Sequence, residues 1–218
     1  MLLPHCTDMR RLRVGMRWSG RLAAILLLAG CATGPDVERA DDVVADGEER
    51  AVPPRAQTLY EQAVAAMAAG DHTDAELRFR EFLLQYPDYP GVHVNLAIIH
   101  AEAGNDADAE AAIEAALGTD ANHAPALNQL GMLRRRQGRF EEAEAAYLKA
   151  VTVAPDYALA HYNLGVLNEL YLQRLEPALQ HFEHYQSLAP ADDDEVSRWI
   201  ADLKRRLGVN QRTANVTE

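Results

Sequence analysis

Residues 124–157 read APALNQLGMLRRRQGRFEEAEAAYLKAVTVAPDY, and this stretch decides the fold. Its apolar spacing describes two short amphipathic helices folded back on each other. Gly138 marks the turn, Ala143, Tyr147 and Ala150 share one face of the second helix, and Pro155 closes the unit. Gly131 sits inside the first helix, where glycine costs roughly 1 kcal/mol against alanine. Its presence implies that another backbone comes close at that point. Displaced by one unit in either direction, the same layout reappears, so the stretch is one tile of an array.

The tiling is regular. The small residue that opens each second helix is Ala75, Ala109, Ala143 and Ala178, at separations of 34, 34 and 35 residues. Four places on stand Phe79, Ile113, Tyr147 and Phe182, and three further Phe82, Ala116, Ala150 and Tyr185. The closing position holds Pro87, Ala121, Pro155 and Pro190. The first helices carry Ala63, Ala97, Gly131 and Gly165, each small enough for helices to approach. The turns read Gly70-Asp71, Gly104-Asn105 and Gly138-Arg139, a glycine past a helix end followed by a polar cap. A 34-residue helix–turn–helix period with this small/large pattern resembles the tetratricopeptide repeat (TPR). The resemblance covers residues 56–191 in four copies, 56–89, 90–123, 124–157 and 158–191, and implies an all-α superhelix.

Three features depart from the family pattern. Ala121 replaces a closing proline, which loosens that bend. Phe82 and Tyr185 are bulky where alanine is usual. The fourth copy has an extra residue within Leu170–Pro177 and no turn glycine, so an atypical turn is expected, with a bulge extending the first helix as one form of it. Past Pro190, Asp192, Asp193 and Asp194 offer helix N-caps, and Val196, Trp199, Ile200, Leu203 and Leu207 fall on one face. Residues 192–208 are therefore expected to form the capping helix that a repeat array needs over its last apolar face. Residues 209–218 form a polar tail.

The N-terminus has a different character. Arg10, Arg11, Arg13, Arg17 and Arg21 precede an apolar run, Leu22–Ala29, that is shorter than the about 20 residues needed to cross a bilayer. Residues 1–30 thus read as a secretory signal, with an unprocessed helix as the alternative. Leu28-Ala29-Gly30-Cys31 resembles the lipobox of bacterial lipoproteins. That resemblance implies diacylglyceryl transfer to the Cys31 sulfur, cleavage after Gly30 and acylation of the new terminus. Each buried CH₂ contributes about 0.8 kcal/mol, so several acyl chains make a lasting anchor. By the enteric sorting rule, Ala32 in place of an aspartate implies the periplasmic face of the outer membrane. A start at Met9 or Met16 would give a more typical signal length than Met1. Residues 31–55 are acidic and short of large apolar side chains, and read as a tether holding the domain roughly 25 Å from its anchor. A partner-binding segment that orders on contact is the other reading.

The chain carries a net charge of −12, and removal of residues 1–30 would take away five arginines and one aspartate. So acidic a domain argues against nucleic-acid partners and against electrostatic adhesion to anionic lipid. With Cys6 in the signal and Cys31 lipidated, no thiol pair remains for a disulfide.

Residues that carry chemistry are sparse. Past the signal the serines are Ser187 and Ser197, neither in a strand–turn–helix setting, and no phosphate loop, His-Glu-x-x-His motif or calcium loop occurs. His93 and His161 hold equivalent first-helix positions and read as scaffold. His181 and His184 lie one helical turn apart without an evident third metal ligand. No enzyme activity, cofactor, metal or small-molecule substrate is expected.

The TPR resemblance implies instead a concave groove, lined by the first helices, that takes extended or helical peptides. Its inward positions map to Tyr60, Val64 and Met67 in repeat 1 and to Val94, Asn95 and Ile98 in repeat 2. Repeat 3 supplies Asn128, Met132, Arg135 and Arg136, and repeat 4 Tyr162, Asn163, Val166 and Glu169. Asn95 and Asn163 match the asparagine that bonds a ligand backbone in this family, since an amide both donates and accepts; a generic surface amide is the alternative. Arg134, Arg135, Arg136 and Arg139 form a dense basic cluster. Either Arg135 and Arg136 receive a carboxylate or acidic peptide through forked hydrogen bonds, or the cluster neutralises Glu141, Glu142 and Glu144.

The expected protein is a non-enzymatic scaffold or adaptor, lipid-anchored to the envelope, that docks a protein or peptide partner during assembly of secretin or pilus, cell-wall or outer-membrane machinery. A regulatory accessory subunit of an envelope hydrolase or energy-transducing complex is the alternative. Likeness of fold does not choose between them.

Overall fold

The computed structural model describes residues 53–189 and 193–208. Cys31 and its flanking segments, Pro190, Asp192 and the tail from 209 lie outside the described residues. The first three tiles each fold as a helical hairpin: α1 (Pro54–Ala68) with α2 (His72–Gln85), α3 (Pro90–Glu102) with α4 (Asp106–Thr119), and α5 (Ala124–Arg136) with α6 (Phe140–Val153). The fourth pairs α7 (Ala158–Val166), extended by a π-helical turn over Leu167–Tyr171, with α8 (Leu175–Leu188). A last helix, α9 (Asp194–Arg206), follows. The described domain is thus the expected all-α superhelix of four hairpins and a C-terminal cap.

The first three turns share one chemistry. Gly70, Gly104 and Gly138 adopt φ of 79°, 78° and 75°, a left-handed conformation that a side chain would strain. That residue lets the next N–H turn back to the helix it leaves: Asp71 to Ala66 O at 3.0 Å, Asn105 to His100 O at 2.8 Å, Arg139 to Arg134 O at 2.9 Å. This closure satisfies carbonyls that a helix end otherwise leaves unpaired. The fourth turn has no glycine, and Gln173 takes the left-handed role at φ 55°. The extra residue is absorbed by widening the helix, with Leu172 N–H on Leu167 O at 3.0 Å and Arg174 N–H on Asn168 O at 2.8 Å. The missing proline of repeat 2 leaves no loose bend. Asp120 Oδ1 accepts from Asn122 N–H at 2.9 Å, and Lys149 Nζ holds the Ala121 carbonyl at 2.8 Å.

Inside each hairpin, large residues on the second helix fill space left by small ones on the first. A Cβ on Gly131 would stand 2.5 Å from Tyr147 Cδ1, and one on Gly165 2.6 Å from Phe182 Cδ1. The close neighbour at Gly131 is therefore an aromatic ring, not a second backbone. The reason is volume: a fully buried tyrosine needs the room that even a methyl group would occupy. Repeats 1 and 2 meet the same need with Ala63 beside Phe79 and Ala97 beside Ile113.

At the C-terminal end, Val196 and Leu203 of α9 are buried in one cluster with Ala178 and Phe182, and Trp199 lies 5.4 Å from the Phe182 ring. Asp193 caps the helix by accepting from the N–H groups of Glu195 and Val196 at 3.0 and 3.1 Å.

Histidines tie repeat 4 to the turn before it. His161 Nε2 and His184 Nε2 lie 3.1 and 3.3 Å from the Pro155 carbonyl, and His161 Nδ1 lies 3.2 Å from His181 Nδ1. A carbonyl only accepts, so both Nε2 atoms carry hydrogen, and in the neutral seam His161 Nδ1 accepts from His181 Nδ1–H. His93 is the equivalent residue of repeat 2, where burial holds its pKa below the ordinary value.

Two outcomes follow. Gly131→Ala drives a methyl into the Tyr147 ring, which costs about 1–3 kcal/mol against a helix gain of about 1 kcal/mol. Its urea midpoint is expected to fall, and Gly131→Ala/Tyr147→Ile, which copies the Ala97–Ile113 pairing, to recover most of the loss. Burial and the neighbouring imidazoles hold the His181 pKa down to about 4. In the unfolded chain the same group takes a proton near its ordinary value of about 6.5. Its contribution is therefore complete above that value and is lost as pH falls toward 4. Urea titrations between pH 7 and 5, where carboxylates remain ionised, should show declining stability in the parent protein and a flatter profile in His181→Gln.

Candidate binding groove

Side-chain struts tie neighbouring first helices together across the repeats. Asn95 Nδ2 donates to Tyr60 Oη at 3.2 Å, between α3 and α1. Asn163 Nδ2 donates to Asn128 Oδ1 at 2.9 Å, between α7 and α5. Both rungs join residues 35 apart, one helical position beyond the repeat. Between α3 and α5 the equivalent residues are Val94 and Gln129, and valine offers no acceptor. Val94 is instead core, packed with Ala116 and Ala126.

These contacts redistribute the expected groove residues. Asn128 is 1% exposed and Asn163 6%, so their amides serve the packing between hairpins rather than an open surface. Asn95 remains half-buried at the surface, and Tyr60 and Val64 remain exposed. In repeat 4 the expected face is turned toward the cap. The Tyr162 ring lies 6.0 Å from Trp199, Val166 packs in the same cluster, and Glu169 pairs with Arg206 of α9 at 2.7 Å. The open part of the groove accordingly belongs to repeats 1–3.

The basic cluster divides. Arg134 is paired with Glu110, and Arg139 grips Glu142 with two nitrogens. Arg134 holds the Glu110 carboxyl below the usual carboxylate range. Arg136 pairs with Asp106 and donates to the Ala101 carbonyl at 2.7 Å, linking repeat 3 to repeat 2. Neutralisation of Glu144 falls to Arg174, at 2.8 Å, rather than to the cluster. Arg135 differs from the other three. Among the described residues no carboxylate lies within ion-pair distance of it, and its guanidinium stands 5.9 Å above the centre of the Tyr171 ring. Such a stack favours an arginine through the ring's negative face.

Arg135 and Tyr171 border a cleft of about 290 Å³. Ala97, Ala101, Ile113, Met132 and Leu133 give it an apolar floor, and Gln129 and Arg136 stand beside it. The 34-residue register does not place Tyr171 in the groove, since its equivalents Ala69, Ala103 and Gln137 merely end their helices. The available signal is the 35-residue spacing of the last repeat.

Among the described residues, no three His, Cys, Asp or Glu side chains gather so as to hold a metal ion. No described helix is long and apolar enough to cross a membrane.

Residues 66–133 match the tetratricopeptide repeat family and residues 131–170 the TPR repeat family. The described helical domain has TPR-repeat architecture. Over 87 residues it is 39% identical to cellulose synthase operon protein C of Xanthomonas axonopodis pv. citri (strain 306). That match takes in 40% of this chain but spans only 6% of the length of that relative. Among solved structures, PilF of Pseudomonas aeruginosa is similar at a TM-score of 0.62, with 24% identity over 69% of this chain and 68% of that one. MamA of Desulfovibrio magneticus RS-1 is similar at 0.57, with 18% identity over 76% of this chain and 92% of that one. At these identities the likeness is one of fold.

Proposed function

We propose that this TPR-repeat domain is a non-enzymatic scaffold, lipid-anchored at Cys31 to the periplasmic face of a bacterial outer membrane, that captures a segment of a partner protein in its concave groove. The observation that carries the reading is the open surface of repeats 1–3. It carries an apolar cleft, an arginine with no carboxylate partner among the described residues, and the half-buried Asn95. Apolar surface supplies attraction and a few placed polar groups supply orientation, the combination that peptide grooves use. The anchoring part rests on the basic segment, the short apolar run and Leu28-Ala29-Gly30-Cys31. The acidic stretch 31–55 serves as the tether. A domain held near the membrane with a partner groove fits assembly of an envelope complex, such as secretin or pilus, cell-wall or outer-membrane machinery.

Photo-crosslinking in intact envelopes tests the groove. A benzoylphenylalanine at Gln129 or Tyr60, on the concave side, is expected to trap a partner polypeptide, and one at Leu84, which is 86% exposed on α2, is not. Trapping from Leu84 alone would remove the groove reading. Metabolic labelling with an alkyne analogue of palmitate tests the anchor. Label is expected on the parent chain and absent from Cys31→Ser, and equal labelling of both would overturn the anchor while leaving the groove intact.

A further inference from the structure

We propose that the one-residue expansion of repeat 4 builds a carboxylate-binding subsite between Arg135 and Tyr171, which takes a single carboxylate carried on or beside an apolar residue of the partner. This inference rests on the groove reading above and assigns the chemistry of one position within it.

In repeats 1–3 the helix lining the groove ends on Ala69, Ala103 or Gln137. The π-helical turn at the end of α7 carries the chain one residue further round, and the position becomes Tyr171, 41% exposed. Its ring reaches back to repeat 3 and packs against Phe140 at 4.9 Å. π-Helical turns arise where an inserted residue is retained at some cost in helix geometry, and they recur at functional sites. Here the retained residue supplies the wall against which Arg135 rests.

The charge pattern selects the ligand. Arg134, Arg136 and Arg139 each have a carboxylate partner within the domain, and Arg135 has none among the described residues. Stacked over the Tyr171 ring, it keeps the edge of its guanidinium available for a forked pair of hydrogen bonds. A cation at the mouth of an apolar cleft, with no carboxylate partner among the described residues, calls for an anion. The surroundings limit its charge, because Asp106 and Glu142 stand on neighbouring arginines and one uncompensated cation matches one negative charge. The cleft, at about 290 Å³, sits at the foot of the range for small-molecule pockets, about 300–1,000 Å³, and suits an apolar side chain beside the carboxylate.

Met132 lines the cleft and Met67 packs at the repeat 1 end, so ¹³C-methyl methionine spectra of the full chain report both ends of the groove. The probes are acetyl-Leu-Leu with a free C-terminus, acetyl-Leu-Glu-amide and the neutral acetyl-Leu-Leu-amide. The Met132 signal is expected to shift with either acidic probe and at least about tenfold more weakly with the neutral one, as for loss of a charge-assisted hydrogen bond. The stronger acidic probe identifies the carboxylate as a chain terminus or a side chain. Arg135→Gln, Tyr171→Ala and deletion of Gln173, which restores the 34-residue spacing, should each weaken the Met132 response and leave the Met67 signal in place. An equal response to the neutral probe, an unchanged response in Arg135→Gln, or no Met132 response to any probe would overturn the subsite. Crosslinking from Gln129 judges the groove separately.

Discussion

The structure depends on one steric bargain repeated four times: a large side chain on the second helix occupies the volume that a small residue on the first leaves empty. At Gly131 and Gly165 the vacancy is complete, and the rings of Tyr147 and Phe182 enter it. At Ala63 and Ala97 it is smaller, with Phe79 and Ile113 as the neighbours. Because the contact fixes how closely each hairpin closes, it also fixes where the next first helix can lie. Close packing makes this a constraint rather than a preference, since a misplaced methyl group has nowhere to move. The concave face is a product of that spacing.

The ends of the array answer a different need. A repeat stack leaves its last apolar face open, and α9 closes it with Val196, Leu203 and Trp199. Closure has a functional side effect, because Tyr162, Val166 and Glu169 are drawn toward the cap and leave the groove. The π-helical turn then returns one aromatic, Tyr171, to the neighbourhood of repeat 3. Polar contacts are distributed in the same economical way. Asn128 and Asn163, His161 and His184, Arg136 and the Ala101 carbonyl all join one hairpin to the next.

The helical hairpins, the turn glycines and the capping helix were legible in the sequence because each is a local property: φ sign, residue size or a 3.6-residue stripe. The atypical fourth turn was legible too, as a spacing of 35 against 34. What replaced the missing proline of repeat 2 was not, since Lys149 comes to the Ala121 carbonyl from the next hairpin. Nor was the neighbour of Gly131. A small residue announces a close approach, and whether backbone or ring makes it depends on which partner faces it.

By itself, the sequence determined the tiles: helices, turns, order and the small/large register, all set by interactions within about one repeat length. Tertiary structure decided which of the inward residues stay open. Asn128 and Asn163 share one face pattern with Asn95, yet they are buried at a helix–helix seam that exists only after α5 and α7 meet. Arg135 belongs to a run of three arginines, and it alone of the three lacks a carboxylate partner among the described residues because Glu110 and Asp106 come from another hairpin to the other two. Burial and charge pairing are sums over neighbours, and neighbours distant in sequence are assigned by packing.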